Sequence, residues 1–332
     1  MEIEIGLDIG FGDVKIVAKV FTKPQAQMVA LKYPTAIAYS KKGIIGNLGG
    51  NEGEYEFNGQ SFVVGQAALQ CEDLFSTRDI EFLLTYSPLL AYKALADLWL
   101  SCSLGFKQFV SAKKKLCLGL PLGYYSKKDK IEECLSGYTV SGNIVRFDAI
   151  EVRAQGQGIF FDYVLDEDGR PVKSRMNETV LVLDVGFNTV DVLGIVDGTP
   201  NKEWSAMLEK SGVCRICQAL QDHLQTELDF LLSEQVIKDI VQKGHISLYG
   251  VTRDLSTPIR KAKERYSEWL SREVDSRWDK FLKSADKLIV AGGGAYYIDH
   301  LKQKYPDQFL YVPHEPEYSN ARGFLKFGMY VL

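Results

Sequence analysis

Two stretches of this chain place a carboxylate at the same point of the same local pattern. Residues 5–17 read Ile-Gly-Leu-Asp8-Ile-Gly10-Phe11-Gly12-Asp13-Val14-Lys15-Ile-Val. About half the chain later, residues 181–193 read Leu-Val-Leu-Asp184-Val-Gly186-Phe187-Asn188-Thr189-Val190-Asp191-Val-Leu. Asp8 aligns with Asp184, Gly10 with Gly186, Phe11 with Phe187 and Val14 with Val190. Backbone N–H groups bared at such a turn suit phosphate oxygens. A carboxylate beside them would repel the phosphate unless a cation lay between. Mg²⁺ fills that role with one or two carboxylates while keeping most of its waters. Two such turns would then hold a nucleotide polyphosphate from two sides. A plain structural duplication of a hairpin is the competing explanation.

Each copy is built as a hairpin: a β-branched run, Asp-x-Gly, a short polar tip and a second β-branched run. Strands are expected at 3–9 and 14–21, and again at 180–185 and 190–196. Between the copies, residues 41–65 hold seven glycines, with Asn58-Gly59 between two aromatic strand patterns. They predict a loop-rich β subdomain, inserted over about 30–80. Apolar residues recur at helical spacing from Pro88 to Leu104. Lys113–Lys115 reads as a solvated loop before a strand at 116–120, and 143–153 as a single strand. Helices are expected at 127–135, 157–165, from Ser211-Gly212 to about Leu232, and from an N-cap at Thr257 with Pro258 at its first position to about Leu282.

Composition narrows the classes. The 332 residues suggest two domains, and 46% apolar with 25% charged residues is ordinary for a soluble globular protein. A net charge of −4 gives no electrostatic case for direct nucleic-acid binding. The most apolar region, 82–106, is broken by Pro88, Lys93 and Asp97, so it predicts a core helix and no membrane span is expected. No signal peptide is expected ahead of the first strand. The six cysteines lack a framework spacing and read as reduced thiols of a cytoplasmic protein. Cys214-Arg-Ile-Cys217 at a helix start is either a structural or a redox pair.

Near the C-terminus, Leu288-Ile-Val-Ala-Gly292-Gly293-Gly294-Ala295 delivers three glycines from a strand to a helix start, where a ligand can approach backbone closely. The spacing matches neither a P-loop nor a Rossmann fingerprint. Lys261, Lys263 and Glu264 on the preceding helix either touch the same ligand or form a solvated face.

In order and spacing, Asp8-x-Gly10-x-x-x-x-Lys15, Asp184-x-Gly186-x-x-Thr189-x-Asp191 and Ala291-Gly-Gly-Gly-Ala295 resemble the phosphate-1, phosphate-2 and adenosine motifs of the actin, Hsp70 and sugar-kinase superfamily. Within it the chain is most similar to the short prokaryotic actin-like ATPases of the ParM and archaeal-actin type. Val63-Val-Gly65-Gln-Ala-Ala68, Gly119-Leu-Pro121, Arg153-Ala-Gln155-Gly156 and Asn320-Ala-Arg-Gly323 add to the likeness.

The resemblance implies an α/β fold of two related actin-like (ribonuclease H-like) domains around a central nucleotide cleft. Domain I is expected at 1–155 and domain II at 156–332, with a helical subdomain at about 225–282 and a C-terminal helix at about 319–331 returning to domain I. It implies ATP or GTP with Mg²⁺ as cofactors. Asp8 and Asp184 would hold the metal, Lys15 would face the phosphates, and Gly10, Gly12, Gly186, Asn188 and Thr189 would form the tips. Gly292, Gly293 and Gly294 would lie along the adenosine, with Gly212 near ribose or phosphate. Gln155, opening a turn between strand and helix, would position water for slow hydrolysis, with Asp184 and Asp8 beside it; otherwise it is a helix-capping residue. The implied function is a filament-forming ATPase that assembles head-to-tail with itself, in a cytoskeletal or plasmid-segregation role, with a DNA-binding adaptor as a further partner. A small-molecule kinase and a non-polymerising ATP-binding adaptor are the alternatives. Leu48, on the tip Asn47–Asn51, is the expected assembly contact.

Overall fold

The computed structural model describes residues 1–22, 25–40 and 53–332. Leu48 and the rest of the 47–51 tip lie outside the described residues. The chain divides into two compact units, Met1–Val172 with Tyr318–Leu332, and Lys173–Glu317.

In the first unit, the elements run β1 (Glu2–Ile9), β2 (Asp13–Phe21), β3 (Ala26–Pro34), β4 (Ile37–Tyr39), β5 (Glu54–Phe57), β6 (Gln60–Val64), α1 (Ile80–Ser101), α2 (Phe106–Ser111), β7 (Lys113–Leu120), α3 (Lys128–Ser136), β8 (Gly137–Val140), β9 (Asn143–Arg146), β10 (Ala149–Ala154) and α4 (Gln157–Val164). The main sheet has the order β10-β7-β1-β2-β3. β1 pairs antiparallel with β2 and parallel with β7, which pairs parallel with β10. Ile3, Ile5, Leu7 and Ile9 of β1 are buried on one face, and Gly6 and Asp8 are buried on the other, as expected for a central strand covered on both faces. β4, β6 and β5 form a small separate sheet, closed at one end by the Asn58-Gly59 turn, where both residues adopt positive φ.

The second unit continues with β11 (Val180–Val185), β12 (Thr189–Val196), β13 (Thr199–Glu209), α5 (Cys214–Leu228), α6 (Glu234–Lys243), β14 (His245–Leu248), β15 (Val251–Asp254), α7 (Ser256–Leu282), β16 (Lys287–Ala291), α8 (Asp299–Lys304) and β17 (Leu310–Tyr311). Its sheet has the order β13-β12-β11-β16-β17. Strand for strand this repeats the first unit: an antiparallel β11–β12–β13 meander, then parallel neighbours on the other side of β11. The duplicated hairpin is therefore the leading hairpin of two sheets of one topology. Leu181, Leu183, Val190 and Val192 of the sheet share a core with Ile216, Leu220 and Leu224 of α5 and with Leu270 and Val274 of α7. That cluster gives the apolar stripe of the long helix its packing role.

The last helix, α9 (Ser319–Val331), belongs to the first unit. It lies on β1 and α4 at backbone distance. A Cβ on Gly6 would sit 1.9 Å from the Ala321 carbonyl oxygen, and one on Gly323 would sit 1.7 Å from that of Gly158. Beside this crossing, Asp162 of α4 accepts hydrogen bonds from Arg322 at 2.8 and 2.6 Å and from the Ser319 hydroxyl at 2.7 Å, with Lys326 Nζ at 2.8 Å. α4 is thus tied into the first unit, and the division falls at Val172/Lys173 instead of at 155/156.

Burial alone would push the Asp162 carboxyl up, but Arg322 and Lys326 hold it below the usual carboxylate range. A group whose folded pKa is depressed contributes stability above its unfolded pKa and loses it as acid protonates the folded form. Asp162→Asn is therefore expected to flatten the acid limb of the unfolding curve. Urea midpoints measured between neutral pH and the carboxylate range check this.

Several local expectations are corrected. Lys113–Lys115 is not a loop: it begins β7, paired in register with Glu2–Glu4. Lys115 meets Glu2 at 2.8 Å and Glu4 at 3.6 Å, while buried Lys114 donates to the carbonyls of Phe109 and Ala112. The strand expected at 143–153 is two, β9 and β10. The helix expected to reach Leu232 stops at Leu228, where Asp229 takes a left-handed cap, and α6 begins after it. α7 starts at Ser256, one residue before the expected cap, with Asp254 Oδ1 accepting the Ser256 amide at 3.0 Å.

Candidate functional site

In the first unit, three of the singled-out side chains converge at the C-terminal end of β1. Cross-strand pairing sets Asp8 opposite Lys15 and beside Gly119 of β7. Lys15 Nζ donates to Asp8 Oδ2 at 3.1 Å, and Gln155 Nε2 donates to Asp8 Oδ1 at 2.7 Å. Asp8 and Gln155 are both buried. A carboxylate can only accept here, so the Gln155 amide must turn its nitrogen to Asp8, which leaves Oε1 to accept from a third group.

Gln155 does not cap α4. Its backbone N–H donates to Leu120 O at 2.6 Å, and the cap position is Gly156 at φ 85°. That turn is held by Asn320 of α9, whose Oδ1 accepts the Gly156 N–H at 3.0 Å. Asn320→Ala would strip this buried N–H of its acceptor, at a cost of about 1 kcal/mol. A drop of that size in a urea melt, with faster amide exchange at Gly156, is the expected result.

The tip of the β1–β2 hairpin is anchored from behind. Its Gly10 N–H closes the turn on Asp13 O at 3.1 Å. Thr35 donates its hydroxyl to Gly10 O at 2.6 Å and its amide to Gly12 O at 3.0 Å, and the Thr77 hydroxyl donates to Phe11 O at 2.9 Å. Three successive carbonyl oxygens, of residues 10, 11 and 12, are thus engaged.

The second unit does the same with different donors. Gly186 N–H closes the turn on Thr189 O at 3.0 Å. The carbonyl of Gly186 accepts from Val213 N–H at 3.0 Å, that of Phe187 from Cys214 N–H at 2.8 Å, and that of Asn188 from Ser211 N–H at 3.0 Å. The three carbonyls aligned with 10, 11 and 12 are again all taken, here by the backbone that opens α5. Gly212 sits inside this dock, where a Cβ would come within 2.4 Å of Gly186 O. A turn whose carbonyl oxygens are held from behind does not turn them on an approaching anion.

Around that tip, Asp184 is buried opposite Asp191 and beside Ala291. Gly292 follows at φ 83°, and a Cβ there would lie 2.5 Å from Asp184 Oδ1, so only glycine admits this approach. A Cβ on Gly294 would lie 2.3 Å from Val185 Cγ1, whereas around Gly293 the space is open. The Thr189 hydroxyl is engaged internally, donating to Asp191 at 3.0 Å. Asn188 is buried and its Oδ1 has no hydrogen-bond partner, so an acceptor stands ready at the tip. Lys263 lies over the Tyr297 ring at 4.9 Å, next to the triple glycine, while Glu264 pairs with Arg260 along the helix surface. Cys214 and Cys217 are buried in the first turn of α5 and form no disulfide, and the Cys214 thiol donates to Asn188 O at 3.9 Å.

The residues present fit Mg²⁺ and a nucleotide. Both carboxylates are buried at turns, Lys15 supplies a cation, and the orphaned Asn188 oxygen suits a hydrogen-bond donor such as a metal-bound water. Among the described residues no three His, Cys, Asp or Glu side chains cluster as a metal cage. Thr35 and Thr77 escaped sequence reasoning, and Asn320, quoted there as part of the resemblance, was given no role.

The pattern of two matching half-sites meets two family models. One, described as actin like proteins N terminal domain, matches residues 6–159, and one described as archaeal actin homologue MreB-like, C-terminal, matches residues 182–303. The chain belongs to the prokaryotic actin-like proteins. Solved structures agree on the fold of this actin-like protein. A ParM filament from Clostridium botulinum, 15-stranded, is 22% identical with a TM-score of 0.73, over 98% of this chain and 99% of that one. A pCBH ParM non-polymerisable quadruple mutant is also 22% identical, with a TM-score of 0.76 over 99% of both chains. Ta0583, an archaeal actin homologue solved with ADP, is 19% identical with a TM-score of 0.71, over 97% of both. No curated protein matches the actin-like chain by sequence.

Proposed function

We propose that this actin-like protein is a nucleotide-dependent, filament-forming ATPase of the cytoplasm. The carrying observation is the buried Asp8 carboxylate fixed between Lys15 and Gln155, with Asp184 repeated at a second tip anchored at the same three carbonyls. Asp8 and Asp184 would hold Mg²⁺, Asp8 by way of metal-bound water because both its oxygens already accept a protein donor. Lys15 places its charge on the terminal phosphates, Gly10, Gly12, Gly186 and Asn188 let the tips approach the ligand, and Thr189 offers its hydroxyl. Gly292, Gly293 and Gly294 lie along the adenosine, with Gly212 fixing the second tip. When bound, Mg²⁺ neutralises phosphate charge. Gln155 presents Oε1 to the attacking water, and glutamine orients water without being a strong base, which suits hydrolysis used as a timer.

The similar ParM from C. botulinum was solved as a filament and Ta0583 with ADP, and both support this function for the present chain. Assembly is head-to-tail, since a contact that does not close on itself propagates. An adaptor that binds DNA would supply the link to cargo in plasmid segregation. A kinase would need a carboxylate base where Gln155 stands.

Sedimentation with Mg-ATP, Mg-GTP and Mg-ADP, read alongside electron microscopy, tests the proposal. Triphosphate-dependent pelleting of filaments is expected. A chain that turns over nucleotide yet stays monomeric at high concentration would return the function to a non-polymerising adaptor.

A further inference from the structure

The first unit carries a groove that the nucleotide site does not use. A cavity of about 320 Å³ opens between α1, α2, β7 and β9, with Leu95, Trp99 and Phe109 supplying its apolar wall. All four residues of β9 line it as well. β9 pairs only with β8 among the described residues, around the two-residue turn Ser141-Gly142, where both φ are positive. In such a hairpin the closing pair, Val140 and Asn143, is hydrogen-bonded and the bonding alternates from there. Ile144 and Arg146 therefore turn their backbone N–H and C=O groups outward, to an open sheet edge.

Three further features say what the groove takes. Ile144, in the cavity lining, is 61% exposed, so apolar surface reaches the mouth of the cavity on β9 itself. Arg146 has no ion-pair or hydrogen-bond partner among the described residues, and no carboxylate lines the cavity. Lys114, at the wall, is already engaged: its Nζ donates to the carbonyls of Phe109 and Ala112, and its backbone N–H donates to Asp148 at 2.8 Å, so Arg146 is the anchoring charge. An unpaired strand edge asks for main chain, the cavity for an apolar side chain, and Arg146 for an anion.

We propose that β9 and this cavity form a docking groove for an extended acidic peptide segment of a partner protein. The segment adds a strand to the outer edge of β9, seats an aromatic or branched apolar side chain beside Trp99 and Phe109, and sets a carboxylate on Arg146. Ile144 and Arg146 lie two positions apart on one strand face, so the apolar residue and the carboxylate of the ligand are also two positions apart.

A random-peptide display library selected against the full chain without nucleotide is the probe, followed by titration of the labelled consensus peptide by fluorescence anisotropy. The expected consensus is an apolar residue followed or preceded at two positions by Asp or Glu. Ile144→Pro removes one outward N–H while leaving the bonds to β8, and Arg146→Glu reverses the anchoring charge. Each is expected to weaken the peptide about 10-fold without changing the melting temperature by as much as Trp99→Ala does. Peptides that bind both variants as tightly as wild type overturn the proposal. So does selection that yields no acidic-apolar pattern while naphthoate alone binds the cavity. Nucleotide-free self-association that Arg146→Glu abolishes also overturns it, by assigning the groove to a second copy of this chain.

Discussion

Asp184→Ala is expected to abolish nucleotide turnover and, with it, the rise in melting temperature that Mg-ATP is expected to give the wild-type protein. The carboxylate is buried at the end of β11, its oxygen held at the position a Gly292 Cβ would meet at 2.5 Å. Truncation leaves the backbone of the tip in place, because its carbonyls remain docked on 211–214. What disappears is the negative charge that lets a cation sit between tip and phosphate. A ligand bound only by the native state stabilises it by mass action, so lost affinity reads directly as a lost thermal shift. Phosphate release and a nucleotide-dependent melt, with Asp184→Asn to preserve shape, make the measurement. Wild-type turnover in the alanine variant would remove both carboxylates from the proposed site.

Gln155→Ala is expected to separate binding from hydrolysis. Its side chain touches Asp8 alone among the groups assigned to the nucleotide, through Nε2. Losing it leaves Lys15 on Asp8 and both hairpin tips unchanged, so affinity for nucleotide should stay within a few-fold. In the proposed function the attacking water would lose the Oε1 that directs it, and misplacement of a reacting group costs about 10- to 100-fold. Single-turnover phosphate release measures this. Filaments of the variant should then outlast those of wild type in ATP. Equal release rates in the two proteins would confine Gln155 to holding Asp8 in place.

The legible part of this molecule is the part written in short-range grammar. The β1–β2 and β11–β12 hairpins announce themselves because strand, turn and strand fit within 13 residues, and their repetition carries the two-sheet architecture. The convergence of Asp8 and Lys15 follows from the same hairpin register. The anchoring roles of Thr35, Thr77 and Asn320 were not legible because these side chains act on backbone atoms 25, 66 and 164 residues away, respectively. A bond from a side chain to a distant main chain leaves no residue-type pattern at either end. Lys113–Lys115 misled for a related reason: three consecutive charges suggest solvent, yet their partners are Glu2, Glu4 and two carbonyls at the end of α2.

The placement of α9 bears on how the protein is made. The second unit is one continuous segment, whereas the first waits for residues 318–332. Until those residues have left the ribosome, β1 lacks the helix that lies on Gly6, α4 lacks its partner at Gly158, and the Gly156 turn lacks Asn320. Units fold as their own residues become available. The intervening unit is therefore expected to close first, and Gln155 to settle against Asp8 only once residues 318–332 have been made. A chain at that stage would carry the Asp184 hairpin folded and the Asp8 hairpin without its supporting helix, so the two carboxylates are expected to reach their folded settings at different times.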